Sequence, residues 1–380
     1  MERIYLDHAA TSPIHPRVVD EIVTVMNGPF GNPSSIHSFG REARQLLDQA
    51  RTGIAKSIGS KFNEIIFTSG GTEADNLAIT GVAKAMKSKG KHIITSMIEH
   101  HAVLHICEQL EKEGYEVTYL PVNEDGIISV ADVKKALRED TILVTIMYGN
   151  NEVGTIQPIK EIGEVLKGHQ AYFHTDAVQA YGLLEIDVSE ENIDLLSVSA
   201  HKINGPKGIG FLYASDDVKL EATIFGGEQE RKRRAGTENI PNIIGFLEAV
   251  KISQQSMEEK RKQYFLFKEK LKDVLEENEV TFYQNGSLEQ SLPHVLNLSF
   301  PGTDVESMLV NLDLSGIAVS SGSACTAGSI EPSHVLVAMF GKDSERLRNS
   351  IRFSFGLHNT LEQIEYTGKE VAKVVNRLRS

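Results

Sequence analysis

Four stretches of the chain carry side chains whose chemistry becomes useful only if they meet. Ser199-Ala200-His201-Lys202 follows an apolar run over 193–198 and precedes Gly205-Pro206. The run has the length of a buried strand, and glycine and proline turn the chain after it. Lys202 therefore stands at the carboxyl end of a strand, where open α/β sheets hold their ligands. A lone lysine there is ordinarily solvated. Flanked by His and Ser and held against a sheet, it can be desolvated, its pKa lowered and its amine made nucleophilic toward a carbonyl carbon. His174-Thr175-Asp176 ends a second apolar run and offers a carboxylate. Gly70-Gly71-Thr72 follows a third run and opens a helical pattern, so backbone N–H groups and the helix dipole favour an anion there. A fourth run, 92–96, leads into Glu99-His100-His101. An amine, a carboxylate, an anion cradle and a flat ring at strand ends are what pyridoxal phosphate (PLP) requires.

The elements that must position these groups alternate regularly. Strands are expected over 65–69, 92–96, 116–120, 143–147, 172–175, 195–199 and 208–213, with helices over 41–58, 73–86, 102–113, 130–137 and 159–166. Such βαβ alternation gives an α/β fold: a mostly parallel seven-stranded sheet covered on both faces. The last strand follows Lys202 too closely for a helical crossover and is expected antiparallel. From Pro241 to about Asn278, Ile243, Val250, Met257, Tyr264 and Leu271 recur every seven residues, one face of a long helix. Beyond it, strands over 279–282, 295–299 and 351–355 and helices over 303–312 and 361–378 form a second, smaller α+β lobe. The expected division is 15–247 for the large domain, with 1–14 and 248–380 in the small one.

The 380 residues carry a net charge of −13, which argues against a general nucleic-acid binder. No run approaches a transmembrane helix, and the N-terminus has no secretory or transit pattern. With two cysteines no disulfide framework is needed, so a reducing compartment, the cytoplasm, is expected. Residues 320–329, Ser-Ser-Gly-Ser-Ala-Cys-Thr-Ala-Gly-Ser, have no apolar anchor and are expected to form a mobile loop. Cys325 on that arm suggests a nucleophile delivered to a bound substrate. Cys107 lies in a helical pattern as a small core residue. The run Glu230-Arg231-Lys232-Arg233-Arg234 before Gly236-Thr237 fits either a solvated face or anion contacts. His101 and His105 have the i, i+4 spacing of zinc pairs, but no third ligand stands nearby, so no metal site is expected.

Ser199-Ala200-His201-Lys202, His174-Thr175-Asp176-Ala177-Val178-Gln179, Asn150-Asn151-Glu152-Val153-Gly154, Arg234-Ala235-Gly236-Thr237 and the Cys325 loop together resemble the NifS/IscS-like cysteine desulfurases, class-V aminotransferase relatives. The resemblance runs from Leu6 to Ser354, and the long loop matches the first of that family's two branches. It implies a homodimeric PLP enzyme of fold type I that converts L-cysteine to L-alanine and leaves a persulfide on Cys325. Lys202 resembles the Schiff-base lysine, Asp176 the partner of the pyridine nitrogen and His100 the ring-stacking, proton-shuttling histidine. Asn151 and Gln179 resemble the contacts to the ring substituents, Asn151 also nearing substrate. Gly71, Thr72, Ser199 and His201 match the phosphate site, with Thr237 reaching in from the second subunit. Arg352 resembles the arginine that binds the substrate carboxylate. Cys325 is also the side chain that could ligate a transient iron–sulfur cluster with a partner. Selenocysteine lyase, a PLP aminotransferase and a non-enzymatic sulfur-relay subunit are the alternatives. Leu357-His358 stands where many relatives carry an arginine after the glycine, and the chain stops at Ser380 where longer relatives extend a tail toward an iron–sulfur scaffold. The basic run then suits a protein sulfur acceptor, a tRNA-thiolating enzyme ahead of an iron–sulfur scaffold.

Overall fold

The computed structural model describes residues 3–321 and 332–379. The chain enters through β1 (Ile4–Tyr5), α1 (Pro16–Met26) and α2 (Ser38–Lys56). It then alternates through β2 (Ile65–Thr68), α3 (Gly71–Ala85), β3 (His92–Ser96), α4 (His101–Lys112), β4 (Glu116–Leu120), α5 (Val130–Ala136), β5 (Thr141–Thr145), α6 (Ile159–Leu166), β6 (Tyr172–Asp176), β7 (Leu195–Ser199) and β8 (Gly210–Ala214). β2 to β8 form one seven-stranded sheet in the order β2-β8-β7-β6-β5-β3-β4. All neighbours are parallel except those of β8, which runs against β2 and β7.

Strand periodicity divides the side chains between two faces. Phe67, Ile94, Val144, Leu196, Val198 and Phe211 enter one core, with α2 and α6. Their alternates Ile66, Ile93, Leu143, Leu195 and Leu212 enter the other, with α3 and α4. Both faces are therefore buried, as a parallel sheet requires. The strand order reverses between β5 and β3. Such a switch point opens a crevice at the carboxyl ends of the strands.

α7 (Ile240–Glu277) is 38 residues long, roughly 57 Å. Its heptad face works at both ends: Ile243 and Val250 pack in the sheet's core, Tyr264 and Leu271 in a second core. That core is built from β10 (Val295–Ser299), α8 (Val305–Leu314), β11 (Ile317–Ala318), β12 (Ser350–Ser354) and α10 (Leu361–Arg379), while β9 (Tyr283–Asn285) pairs along β10 and α9 (His334–Phe340) lies in a separate small cluster. β12-β10-β9 is an antiparallel sheet, and β1 pairs in parallel with β11. Ile4 and Leu6 join this core, so the N-terminal segment spans to the C-terminal lobe.

Several boundaries differ from the sequence expectation, each for a local reason. The strand expected over 279–282 is β9 at Tyr283–Asn285, because Glu279 takes a left-handed φ of 57° and turns the chain first. β5 ends at Thr145, not Met147, whose N–H is donated to Glu99 Oε1 at 3.0 Å. β8 begins at Gly210, after Gly208 turns at φ 78°. α2 begins at Ser38, three residues early, where His37 Nδ1 accepts the Gly40 N–H. α1 and α9 were not expected.

Candidate active site

Five strand ends deliver the site. β2 gives way to α3, whose first residues are Gly71 and Thr72. His100 follows β3 and caps α4, its Nδ1 accepting the Ala102 N–H at 3.1 Å. Asn151 follows β5, Asp176 ends β6 and Ser199 ends β7. His201 and Lys202 occupy the one-turn 3₁₀ segment Ala200–Lys202 that leaves β7. Gly71, Thr72, His100, Asn151, Asp176, Gln179, Ser199, His201, Lys202 and Arg352 all line one cleft of ≈ 280 Å³. A larger groove of ≈ 690 Å³ lies between 181–186 and α7 and holds none of them.

Lys202 is half-buried. Its amine donates to the carbonyls of Ala9 and Ala10, the latter at 2.8 Å. Burial pushes its pKa down to about 8; Arg352 adds to the push, while Asp176 and Asp7 oppose it. Asp176 is buried, and its Oδ1 accepts the Val178 N–H at 2.9 Å. Burial raises its pKa, whereas His100, that N–H and Lys202 pull it back. A cation facing Asp176 would complete the pull toward the carboxylate. His100 is pushed down by burial first, with Lys202 among the minor causes and Asp176 opposing. His201 falls to about 4 through burial and the neighbouring Lys202, and its Nδ1 lies 3.1 Å from Thr11 Oγ1.

The residues present fit PLP. A Cβ on Gly71 would come within 2.8 Å of Val178 Cγ2, so glycine lets the helix start press against the Asp176 segment. Thr72, Ser199 and His201 line the cleft around that start and could donate to a phosphate, and an amine with lowered pKa lies with a buried carboxylate in the same cleft.

Arg352 is buried and already engaged. It donates to the Asn151 carbonyl and to Asp7 Oδ1, both at 2.8 Å, while its Nε has no partner. A substrate carboxylate would share the guanidinium with Asp7. Thr237 does not line the cleft; it is exposed beside Gly236. Arg234 nevertheless ties that turn to the cradle through Glu73, with bonds of 2.7 and 3.0 Å. Cys325 lies outside the described residues. Cys107 is fully buried beside Val103 and Leu110, and burial pushes its thiol far up.

The basic run does not form the free cationic face expected for an acceptor. Glu230 is buried and paired bidentately with Arg51 at 2.7 Å, Arg233 donates to the Asn63 carbonyl and Arg234 is held by Glu73. Glu230, Arg231 and Lys232 all have left-handed φ, so this is an ordered, constrained turn. His101 stacks on His105 with ring centres 5.0 Å apart and lies 4.7 Å from His334; no metal-binding group of three occurs among the described residues.

Four participants were missed in the sequence. Asp75 lines the cleft one helical turn after Thr72, an i, i+3 spacing that could have found it. Ala9 and Ala10 hold the lysine through their carbonyls, which no side-chain pattern announces. His294 approaches Gln179 from the small lobe, its Nε2 3.0 Å from Oε1.

The aminotransferase class-V family profile matches residues 4–367. The chain is 65% identical over 378 residues to protein IscS 1 of Bacillus subtilis (strain 168), covering 100% of both. It is 48% identical to the cysteine desulfurase IscS of Dictyoglomus turgidum, covering 99% of this chain and 95% of that protein. A solved NifS-like protein superimposes with a TM-score of 0.92 at 35% identity, over 99% of this chain and 100% of that one.

Proposed function

The chain belongs to the aminotransferase class-V family, among its NifS/IscS-like cysteine desulfurases, and on that premise we propose how its strand-end cleft desulfurates L-cysteine. The protein is a PLP-dependent cysteine desulfurase that yields L-alanine and donates the sulfur. The observation that carries the residue assignment is the convergence of these ten residues on one cleft.

With PLP bound, Lys202 would be the amine that holds it covalently, Asp176 the partner of its ring nitrogen and His100 the residue at its ring face. Asn151 and Gln179 would hold the ring substituents, and Gly71, Thr72, Ser199 and His201 the phosphate. When bound, PLP supplies an electron sink for the substrate's Cα. With a pKa near 8, Lys202 is an amine in an appreciable fraction of molecules at neutral pH, suited to taking the Cα proton. Arg352 binds the substrate carboxylate in fork geometry, displacing part of the Asp7 contact. The Cys325 thiolate attacks the substrate sulfur; a sulfur–sulfur bond forms and the carbon–sulfur bond breaks, its electron pair staying with the carbon fragment. That fragment takes up protons and leaves as alanine, and the persulfide stays on Cys325.

The active unit proposed is a homodimer in which Thr237 of the partner subunit completes the phosphate site. Its exposed turn, outside its own cleft, supports this, as do Ile36, Phe30 and Phe225, respectively 91%, 80% and 83% exposed. The acceptor proposed is a protein cysteine, on a tRNA-thiolating enzyme or an iron–sulfur scaffold. With Arg233 and Arg234 bound internally, the basic run no longer favours either. Incubating each with Cys325 persulfide made from radioactive cysteine and comparing transfer rates decides between them. No helix among the described residues is long and apolar enough to cross a membrane; acidic charge and two cysteines support a cytoplasmic place. Borohydride trapping of the holoenzyme followed by peptide mapping tests the core assignment: label is expected on Lys202, and label on any other lysine overturns it.

A further inference from the structure

Behind Lys202, away from the cradle, a cavity of ≈ 30 Å³ is lined by His8, Lys202, Lys260, Tyr264, His294 and Gly356, among others. Its two histidines are buried, at 5% and 6% exposure. Both ring nitrogens of His8 and the Nδ1 of His294 have no hydrogen-bond partner among the described residues. Only His294 Nε2 is engaged, by Gln179 Oε1 at 3.0 Å.

That single bond fixes more than its two partners. Gln179 Nε2 lies 2.9 Å from the Ala9 carbonyl, which can only accept, so the amide's NH₂ end must point to Ala9. Its Oε1 therefore points to His294, and His294 must carry its proton on Nε2. The same Ala9 carbonyl accepts from the Lys202 amine. A continuous chain of hydrogen bonds thus runs from His294, which precedes β10 in the small lobe, through Gln179 and Ala9 to Lys202.

We propose that His294 is a positioning residue for Lys202: by donating its Nε2–H it locks the Gln179 amide and so sets the resting place and basicity of the lysine amine. The inference rests on Lys202 being the reacting amine. If the lock is lost, the Gln179 amide keeps only its bond to Ala9 and can swing away, which leaves the Ala9 carbonyl to the lysine alone. A carbonyl no longer shared favours the ammonium form, so the lysine pKa rises. The groups facing His294 oppose its own protonation: Lys268 of α7, His8 of the N-terminal segment, Lys202 after β7 and Arg352 of β12 are all cationic or can become so. Burial acts in the same direction, so the ring stays neutral and retains one proton.

Two amide replacements separate this role from mere packing. Glutamine places a donor where histidine has Nε2; asparagine, one carbon shorter, places it where histidine has Nδ1. Full-length protein with ¹⁵N-labelled histidine, cofactor-free and loaded, is expected to show His294 as the Nε2–H tautomer near neutral pH. With ¹³Cε-labelled lysine and Lys202→Ala to assign the signal, the Lys202 amine of cofactor-free protein should titrate about one pH unit higher in His294→Asn than in the parent, and close to the parent in His294→Gln. In the loaded enzyme, His294→Asn should lower kcat about tenfold with little change in KM, while His294→Gln recovers most of it. An Nδ1–H tautomer or an imidazolium overturns the proposal without any variant having to fold. So do Gln and Asn variants that titrate alike. A parent that forms no alanine from L-cysteine overturns the desulfurase reading instead, and the tautomer and titration then still report on His294.

Discussion

Two lysines of this protein have buried amines held by carbonyl oxygens, and they differ in what lies beyond the amine. Lys268, on α7, donates to Ser291 Oγ at 2.8 Å and to the Leu292 carbonyl at 2.5 Å. Burial pushes it down to about 7, further than the 8 of Lys202. By pKa alone Lys268 would be the better nucleophile. Yet it lines no part of the cleft, whereas Lys202 faces a buried carboxylate and an anion cradle there. A depressed pKa records desolvation; reactivity also requires an open side and a partner for the group that enters.

The largest effect that sharpens this contrast comes from the lysines themselves. Lys202→Ala is expected to leave a folded protein with no covalently held cofactor, and alanine formation should drop by at least about 10³-fold. Lys268→Met should keep both, read by borohydride trapping and alanine assay on each purified variant. Loss of covalent cofactor in the Lys268 variant alone would reverse the two assignments.

The two cysteines repeat the pattern. Cys325→Ser should abolish sulfur release while the cofactor still binds and still exchanges with substrate. Cys107→Ser puts a hydroxyl into an apolar core and should cost about 1–3 kcal/mol of stability with desulfuration intact. Sulfide release by Cys325→Ser at the parental rate would show that the loop cysteine is not the nucleophile.

A smaller effect tests whether the cleft is shared. Thr237→Val removes one hydrogen-bond donor and is expected to weaken cofactor binding about tenfold. Mixed with Lys202→Ala subunits, a shared site predicts one half-site carrying both lesions and one carrying neither. Verified heterodimers should then bind cofactor at the unlesioned half-site with parental affinity. Only weakened binding would place Thr237 in its own subunit's site.

Much of this arrangement was legible in the sequence because it is local. Lys202, Asp176, His100 and Gly71 each follow an apolar run, and strand ends in a parallel sheet share one edge whatever the details of packing. Arg352 and Gln179 were legible only through the motifs of the family resemblance. α1 was not expected although its period is present: Arg17, Asp20, Glu21 and Thr24 recur as one polar face, with Val18, Ile22 and Val25 on another. Nor was His294, because Ser291-Leu292-Pro293-His294 precedes a strand like any loop, and its meaning comes from Gln179, 115 residues away. The internal pairing of the basic run was hidden for the same reason, since Glu73 and Arg51 are distant in sequence.

The subtlest consequence of the two-lysine comparison is thermodynamic. Between pH 7 and about 10.4 the unfolded chain still holds the Lys268 proton that the folded one has shed. Stability rises with pH wherever the unfolded state binds more protons, so Lys268 makes the fold progressively more stable across that window and contributes no slope below it. Lys202 adds the same sign from about 8, but only in cofactor-free protein, where its amine is free to titrate. Lys268→Met removes the first contribution and leaves the second. Urea midpoints of loaded parent and variant, measured from pH 6 to 10, should therefore converge or cross as pH rises. The parent gains on the variant by up to about 4 kcal/mol, the order expected for a shift of this size. Other titrating groups cancel in the difference. If that difference is flat with pH, Lys268 keeps its proton in the fold, and burial beside one hydroxyl and one carbonyl acceptor is not enough to discharge a lysine here.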